Sequence, residues 1–235
     1  MKTRTPAGSG LRKGLGIVIG AIAGLLGTTA WAGTITGTAH DLSGQGYAGG
    51  QICVVCHTPH GGNTSVTDAP LWNHAVTTAT YSLYSSSTLN AGPLAQPSGV
   101  SKLCLSCHDG TVAIDSFGGA TGTNFMLGTN KKTVGAAAQG SLANDHPIGF
   151  TYDAALVTAD GSLHNTTNSV TIGTGGTRTK TGTIASLMLF NGRLECASCH
   201  DVHNTFTAND GTGTGAPLLR VTKAGSAICL TCHNK

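Results

Sequence analysis

The sequence predicts a coil-rich fold with few short helices and minor β-hairpins, organised around something other than its own side chains. Three observations lead there. Glycine supplies 35 of 235 residues, and aromatics are only 5% of the chain, too few for a large side-chain core. Charged residues are only 10%, too few for an ordinary disordered chain. All eight cysteines fall into four identical arrangements, a regularity that calls for a cross-link or a bound group.

The chain opens with Lys2, Arg4, Arg12 and Lys13, continues through an apolar stretch from Leu15 to Leu26, and reaches Ala30-Trp31-Ala32 before Gly33. This is the pattern of a secretory signal peptide, residues 1–32, with cleavage expected after Ala32. The competing reading is an uncleaved anchor, but the apolar run is shorter than the roughly 18 residues a spanning helix needs and contains glycines. No membrane span is therefore expected after cleavage. The segment holds four of the thirteen Lys and Arg and none of the ten Asp and Glu, so nine cations face ten anions in the mature chain. Nothing in that balance suggests a nucleic-acid partner.

The cysteine arrangements are Cys53-Val54-Val55-Cys56-His57, Cys104-Leu105-Ser106-Cys107-His108, Cys196-Ala197-Ser198-Cys199-His200 and Cys229-Leu230-Thr231-Cys232-His233. Disulfides or structural zinc would account for Cys-x-x-Cys, but not for a histidine after every pair. With ten histidines in the chain, that coincidence has a chance of roughly three in a million. Two thiols on one helical turn suit the two vinyl groups of a porphyrin, and the adjacent imidazole suits its iron. Four covalent c-type hemes are expected, with His57, His108, His200 and His233 as proximal ligands and with the stacked hemes as the core. Export agrees, because such hemes are attached outside the cytoplasmic membrane.

Short helices should carry the motifs, for example from Ser101 as N-cap into Cys104 and Cys107. Residues 111–143, rich in Gly, Ala and Thr, read as coil wrapping the hemes. In the Thr/Gly-rich insertion 154–187, alternation at Val170 and Ile172, and again near Ile184, Leu187 and Leu189, suggests one or two irregular hairpins. Phe190-Asn191-Gly192-Arg193 is a turn signal before the third motif.

An internal repeat organises the chain. Asp-flanked His40 precedes the first motif, a histidine three residues after it (His60), and the second motif; Asp-flanked His146 precedes the third motif, His203, and the fourth. The expected units are 33–125 and 126–235, each holding a heme pair within one tetraheme domain. Six histidines, His40, His60, His74, His146, His164 and His203, are left for four opposite iron faces, which favours closed, electron-transferring irons over open, catalytic ones. His164 sits in a polar stretch and reads as structural. His60 and His203 point away from their own hemes and towards a neighbour. Met126 and Met188 are the only mature methionines and read mainly as packing residues.

The segments ICVVCHTPH (52–60), LWNH (71–74), LCLSCHDGTVA (103–113), HPIGF (146–150) and ECASCHDVHN (195–204) resemble paired-CxxCH multiheme cytochromes. They are most similar to the extracellular tetraheme cytochromes of metal-reducing bacteria that polymerise into conducting filaments. The resemblance spans the mature chain and implies bis-histidine hemes, parallel and T-shaped stacking, and a continuous heme path through a homopolymer. It implies His40, His146 and His203 as distal ligands, His74 as the fourth, and His60 as the residue offered to a neighbouring protomer; five candidates for four irons leave the allocation open. Electron transfer, not enzymatic turnover, is the implied function, with other redox proteins or extracellular acceptors as partners at the cell surface. A soluble periplasmic shuttle is the alternative, and a multiheme reductase a more distant one.

Overall fold

A computed structural model describes residues 1, 35–126, 133–134, 141–176, 178–208 and 218–234. The expected signal segment lies outside these residues except for Met1. Contacts divide the chain into Met1–Trp31 and Ala32–Lys235, and every element described belongs to the second unit.

The helices are α1 (Gly99–His108), α2 (Ala154–Asp160), α3 (Ile184–Leu187), α4 (Cys196–Cys199) and α5 (Ala227–Leu230), with two short 3-10 turns at Gly46–Ala48 and Ala224–Ser226. Six short strands form three two-stranded sheets: β1 (Ser82–Leu83) runs parallel to β2 (Ser141–Leu142), β3 (Phe150–Thr151) antiparallel to β6 (Arg193–Leu194), and β4 (Ser169–Ile172) antiparallel to β5 (Lys180–Thr183). Everything else described is turn or coil. No helix among these residues is long and apolar enough to cross a membrane.

Helix α1 departs from the sequence expectation at its start. It begins at Gly99 after an extended Ser98, so Ser101 lies inside the first turn and not at the N-cap. The Ser101 hydroxyl is instead committed to Glu195. Cys104, Cys107 and His108 occupy i, i+3 and i+4 of α1, one face of a helix. Leu105, off that face, packs with Tyr81 and Leu142 in a small buried cluster.

The insertion forms the hairpin β4–β5, but Ile184 and Leu187 do not extend it. Thr183 caps α3 through a reciprocal capping box with Ser186, which ends the strand. The spacing 184, 187, 188 is helical, and Ile184, Leu187 and Met188 all turn into one buried cluster. Tyr152, Leu156, Ile172, Leu194 and Val221 complete it, so the second half builds a larger side-chain core than composition suggests. Met188 is packing within that core.

At Phe190–Arg193 the backbone reverses through Asn191 and Gly192, with φ of 49° and 72°. Positive φ at both central residues is what Asn-Gly accepts at little steric cost. Reciprocal hydrogen bonds of 3.0 and 2.9 Å between Phe190 and Arg193 close the turn. It feeds β6, whose pairing with β3 positions Glu195 and the third motif.

Candidate heme sites

The first motif has no regular helix of its own, and segment 70–74 braces it. Thr58 N–H donates to the Leu71 carbonyl at 2.9 Å, Asn73 N–H to the Cys56 carbonyl at 2.9 Å, and the Asn73 side-chain amide to the Val54 carbonyl. Gly62 is needed in this clasp, since a Cβ there would meet Leu71 Cα at 2.8 Å. An open cleft of about 270 Å³ lies against the motif, lined by Gln51, Cys53, His57, Pro59 and Leu71.

The second and third motifs are joined through buried polar groups. Glu195, 2% exposed, accepts from Ser101 N–H and Oγ and from Arg193 Nε at 3.1 Å, while Cys196 N–H donates to Ser101 Oγ at 2.9 Å. Glu195 and Ser198 also form the capping box of α4. These bonds hold α1 and α4 together, and the Cys104 thiol donates toward the Cys196 sulfur; that hydrogen bond pushes Cys104 up and Cys196 down from the usual thiol range. The fourth motif is tied to the insertion: His164 N–H donates to the Cys232 carbonyl at 2.8 Å, and the Tyr152 hydroxyl reaches the His164 and Cys232 carbonyls at 2.7 and 3.3 Å.

All eight thiols are free. Burial, the larger influence, raises Cys56 to about 11, Cys107 to about 12 and Cys232 to about 11, and raises Cys199 as well. The secondary influences order the motifs in space. Cys107 feels Cys56, Cys104 feels Cys196, and Cys199 feels Cys229, so each motif lies near the next in sequence, while His203 also brings the third motif's segment to the first.

Three motif histidines face a second imidazole. Ring centres are 5.9 Å apart for His40 and His108, 6.1 Å for His57 and His203, and 6.4 Å for His146 and His233. Such separations lie within the range of ordinary ring pairs, and they also leave room for one metal ion between the rings. Each pair could therefore hold the iron of a heme between its two imidazoles, which would supply reversible one-electron chemistry there. The interplanar angles are 50°, 16° and 70°. His57 and His146 each place Nδ1 2.8 Å from a proline carbonyl, Pro70 and Pro147, the orientation that frees Nε2 for a ligand.

His40 carries a second sign of fit. Burial, helped by His108, His200 and His203, lowers it to about 4, so it stays neutral, the form that binds metal. Its Nδ1 and the Trp72 Nε1 are buried with no hydrogen-bond partner among the described residues. A heme would answer both, offering iron to an imidazole and propionates to an N–H donor. Among the described residues no three His, Cys, Asp or Glu converge as a bare ion would require; a heme needs only two axial side chains.

The other candidates are placed differently. His74 is 1% exposed, with Nδ1 2.7 Å from the Ala75 carbonyl and Nε2 3.0 Å from that of Ala113. Reaching an iron would require it to give up at least one of these contacts. His60 is exposed beside Pro59, and His200 is exposed at the end of α4, within electrostatic reach of His40. His164, read as structural, has its backbone against the fourth motif.

Sequence reading passed over the buried acids. Asp109 and Asp201, 1% and 5% exposed, each follow a motif histidine, and the repeated Cys-His-Asp of motifs two and three was the available signal.

No family model matches the chain, and no curated protein matches it significantly.

Proposed function

We propose that the chain is an exported tetraheme c-type cytochrome that transfers electrons, with one heme held by each Cys-x-x-Cys-His motif. The observation that carries this reading is the facing of His57 with His203, His108 with His40, and His233 with His146, with ring centres 5.9 to 6.4 Å apart, each pair including a motif histidine. Bound heme supplies reversible one-electron chemistry at iron. The chain's residues would offer two imidazoles to the iron at the first, second and fourth motifs and His200 at the third. An iron held by two imidazoles would have no open position for a substrate, which favours transfer over catalysis at those three sites. The test is a denatured pyridine hemochrome assay, expected to return four hemes per chain; two or three would defeat the reading.

The favoured setting is extracellular, with the chain as subunit of a conducting homopolymer. Supporting it, the first and fourth motifs present exposed Cys53 and Cys229, and the exposed apolar residues Leu71 and Leu230 sit beside them. Exposed His60 stands just after the first motif. Negative-stain microscopy of the purified holoprotein should show filaments. A monodisperse monomer would favour the periplasmic shuttle.

A further inference from the structure

Three acids are buried among the described residues, Asp109, Glu195 and Asp201, and all belong to the second and third motifs. Two have cations at hand. Glu195 pairs with Arg193 at 3.1 Å. Asp201 accepts from the backbone N–H groups of His203, Thr205 and Phe206 and lies near enough to Arg220 to raise that guanidinium against the stronger lowering by burial.

Asp109 differs. Its oxygens accept from the Tyr81 hydroxyl at 2.6 Å, the Thr77 hydroxyl at 2.7 Å, and the Thr111 N–H and hydroxyl at 2.7 and 2.8 Å. All are neutral donors, and among the described residues it has no ion-pair partner. The donors come from a built pocket: Thr77 is itself 1% exposed and is tied by its N–H to Ser106 of α1 at 3.0 Å. Burial and Asp109 together push the Tyr81 phenol upward, so it stays a donor. At the corresponding place the first and fourth motifs have Thr58 and Asn234, which are neutral.

We propose that Asp109 is a redox-positioning residue, its unneutralised buried carboxylate making the heme held by Cys104, Cys107 and His108 the lowest-potential site of the four. The inference rests on the heme reading above. A fixed anion one residue from the proximal ligand, in surroundings that screen poorly, favours the oxidised iron, which carries one more positive charge. Neutral hydroxyls orient the carboxylate without cancelling its charge. An electron reaching the second site would therefore meet a step to climb and not a resting place.

The test is a redox titration of the holoprotein followed by NMR, which resolves hemes individually, on wild type, Asp109→Asn and Tyr81→Phe. Asp109→Asn should raise the midpoint of the His108 heme by tenfold or more in its reduction equilibrium, about 59 mV, with much smaller changes elsewhere. Tyr81→Phe, which removes a donor from the carboxylate and leaves its charge less compensated, should move the same heme the other way. A merely structural role would not produce opposite signs at one site. If Asp109→Asn does not accumulate, Tyr81→Phe decides alone: a lowered potential at that heme supports the assignment, and an unmoved one overturns it. Four hemes per chain with every potential unchanged in Asp109→Asn would overturn the Asp109 role and leave the cytochrome reading intact. A wild-type count below four would defeat that reading itself.

Discussion

The imidazole of His203 lies 6.1 Å from that of His57 with 16° between the ring planes, although the two residues belong to different halves of the internal repeat. The histidine three residues after the third motif thus faces the first motif. His40 and His146 hold equivalent places ahead of each half, and they face His108 and His233, the closing histidines of those halves.

These pairings predict which variant opens which iron. His203→Ala, His40→Ala and His146→Ala should each convert about one quarter of the heme from low spin to high spin in oxidised holoprotein, read by paramagnetic resonance. The first should perturb the His57 heme, the second the His108 heme and the third the His233 heme. An all-low-spin spectrum in any of the three would remove that pair.

Replacing both cysteines of one motif by serine should lower the hemochrome count from four to three. The loss should be felt most at the second motif, since Cys104 touches Cys196 and α1 carries the first-half cluster around Leu105. Reduced yield and a lower urea midpoint for Cys104→Ser/Cys107→Ser than for Cys229→Ser/Cys232→Ser, whose Cys229 is exposed, are the expected outcome.

Exposed His60 is free to serve another chain in a way that buried His74 is not. His60→Ala should leave four hemes per chain but few filaments by negative-stain microscopy. Normal polymers with all irons low spin would shift the bridging role to another residue.

Ser101 gives its hydroxyl to the buried Glu195 carboxylate and receives the Cys196 N–H. Ser101→Ala should cost about 2 kcal/mol by leaving that carboxylate short of a donor. The measurement is the urea midpoint. A change within error would show that water takes the vacated place.

His40 sets a pH dependence. Its folded value of about 4 lies below the ordinary 6.5, so as pH falls below 6.5 the unfolded chain takes up a proton that the folded chain refuses. Stability is therefore lost between pH 6.5 and about 4, by on the order of 3 kcal/mol, and iron at the ring would strengthen the preference for the neutral form. Urea midpoints across that range should fall more steeply for wild type than for His40→Gln.

The Cys-x-x-Cys-His motifs and the repeat were legible in sequence because the pattern is local: two thiols and an imidazole within five residues could clamp one group whatever the fold around them. The Asn191-Gly192 turn was legible for the same reason, being a property of two residues' allowed φ. The start of α1 and the helical end of the insertion were not. Ser98 and Ser101 are both competent caps, and only the pull of Glu195 on Ser101 separates them; Ile184 and Leu187 fit a strand edge until Thr183 and Ser186 close a cap. Five histidines were equal candidates for distal positions by spacing. Tertiary structure distinguished them by bringing His40, His146 and His203 opposite motif histidines, locking His74 between two carbonyls and leaving His60 outside. The partner of an imidazole across a metal is set by folding of distant segments, and no local pattern encodes that distance.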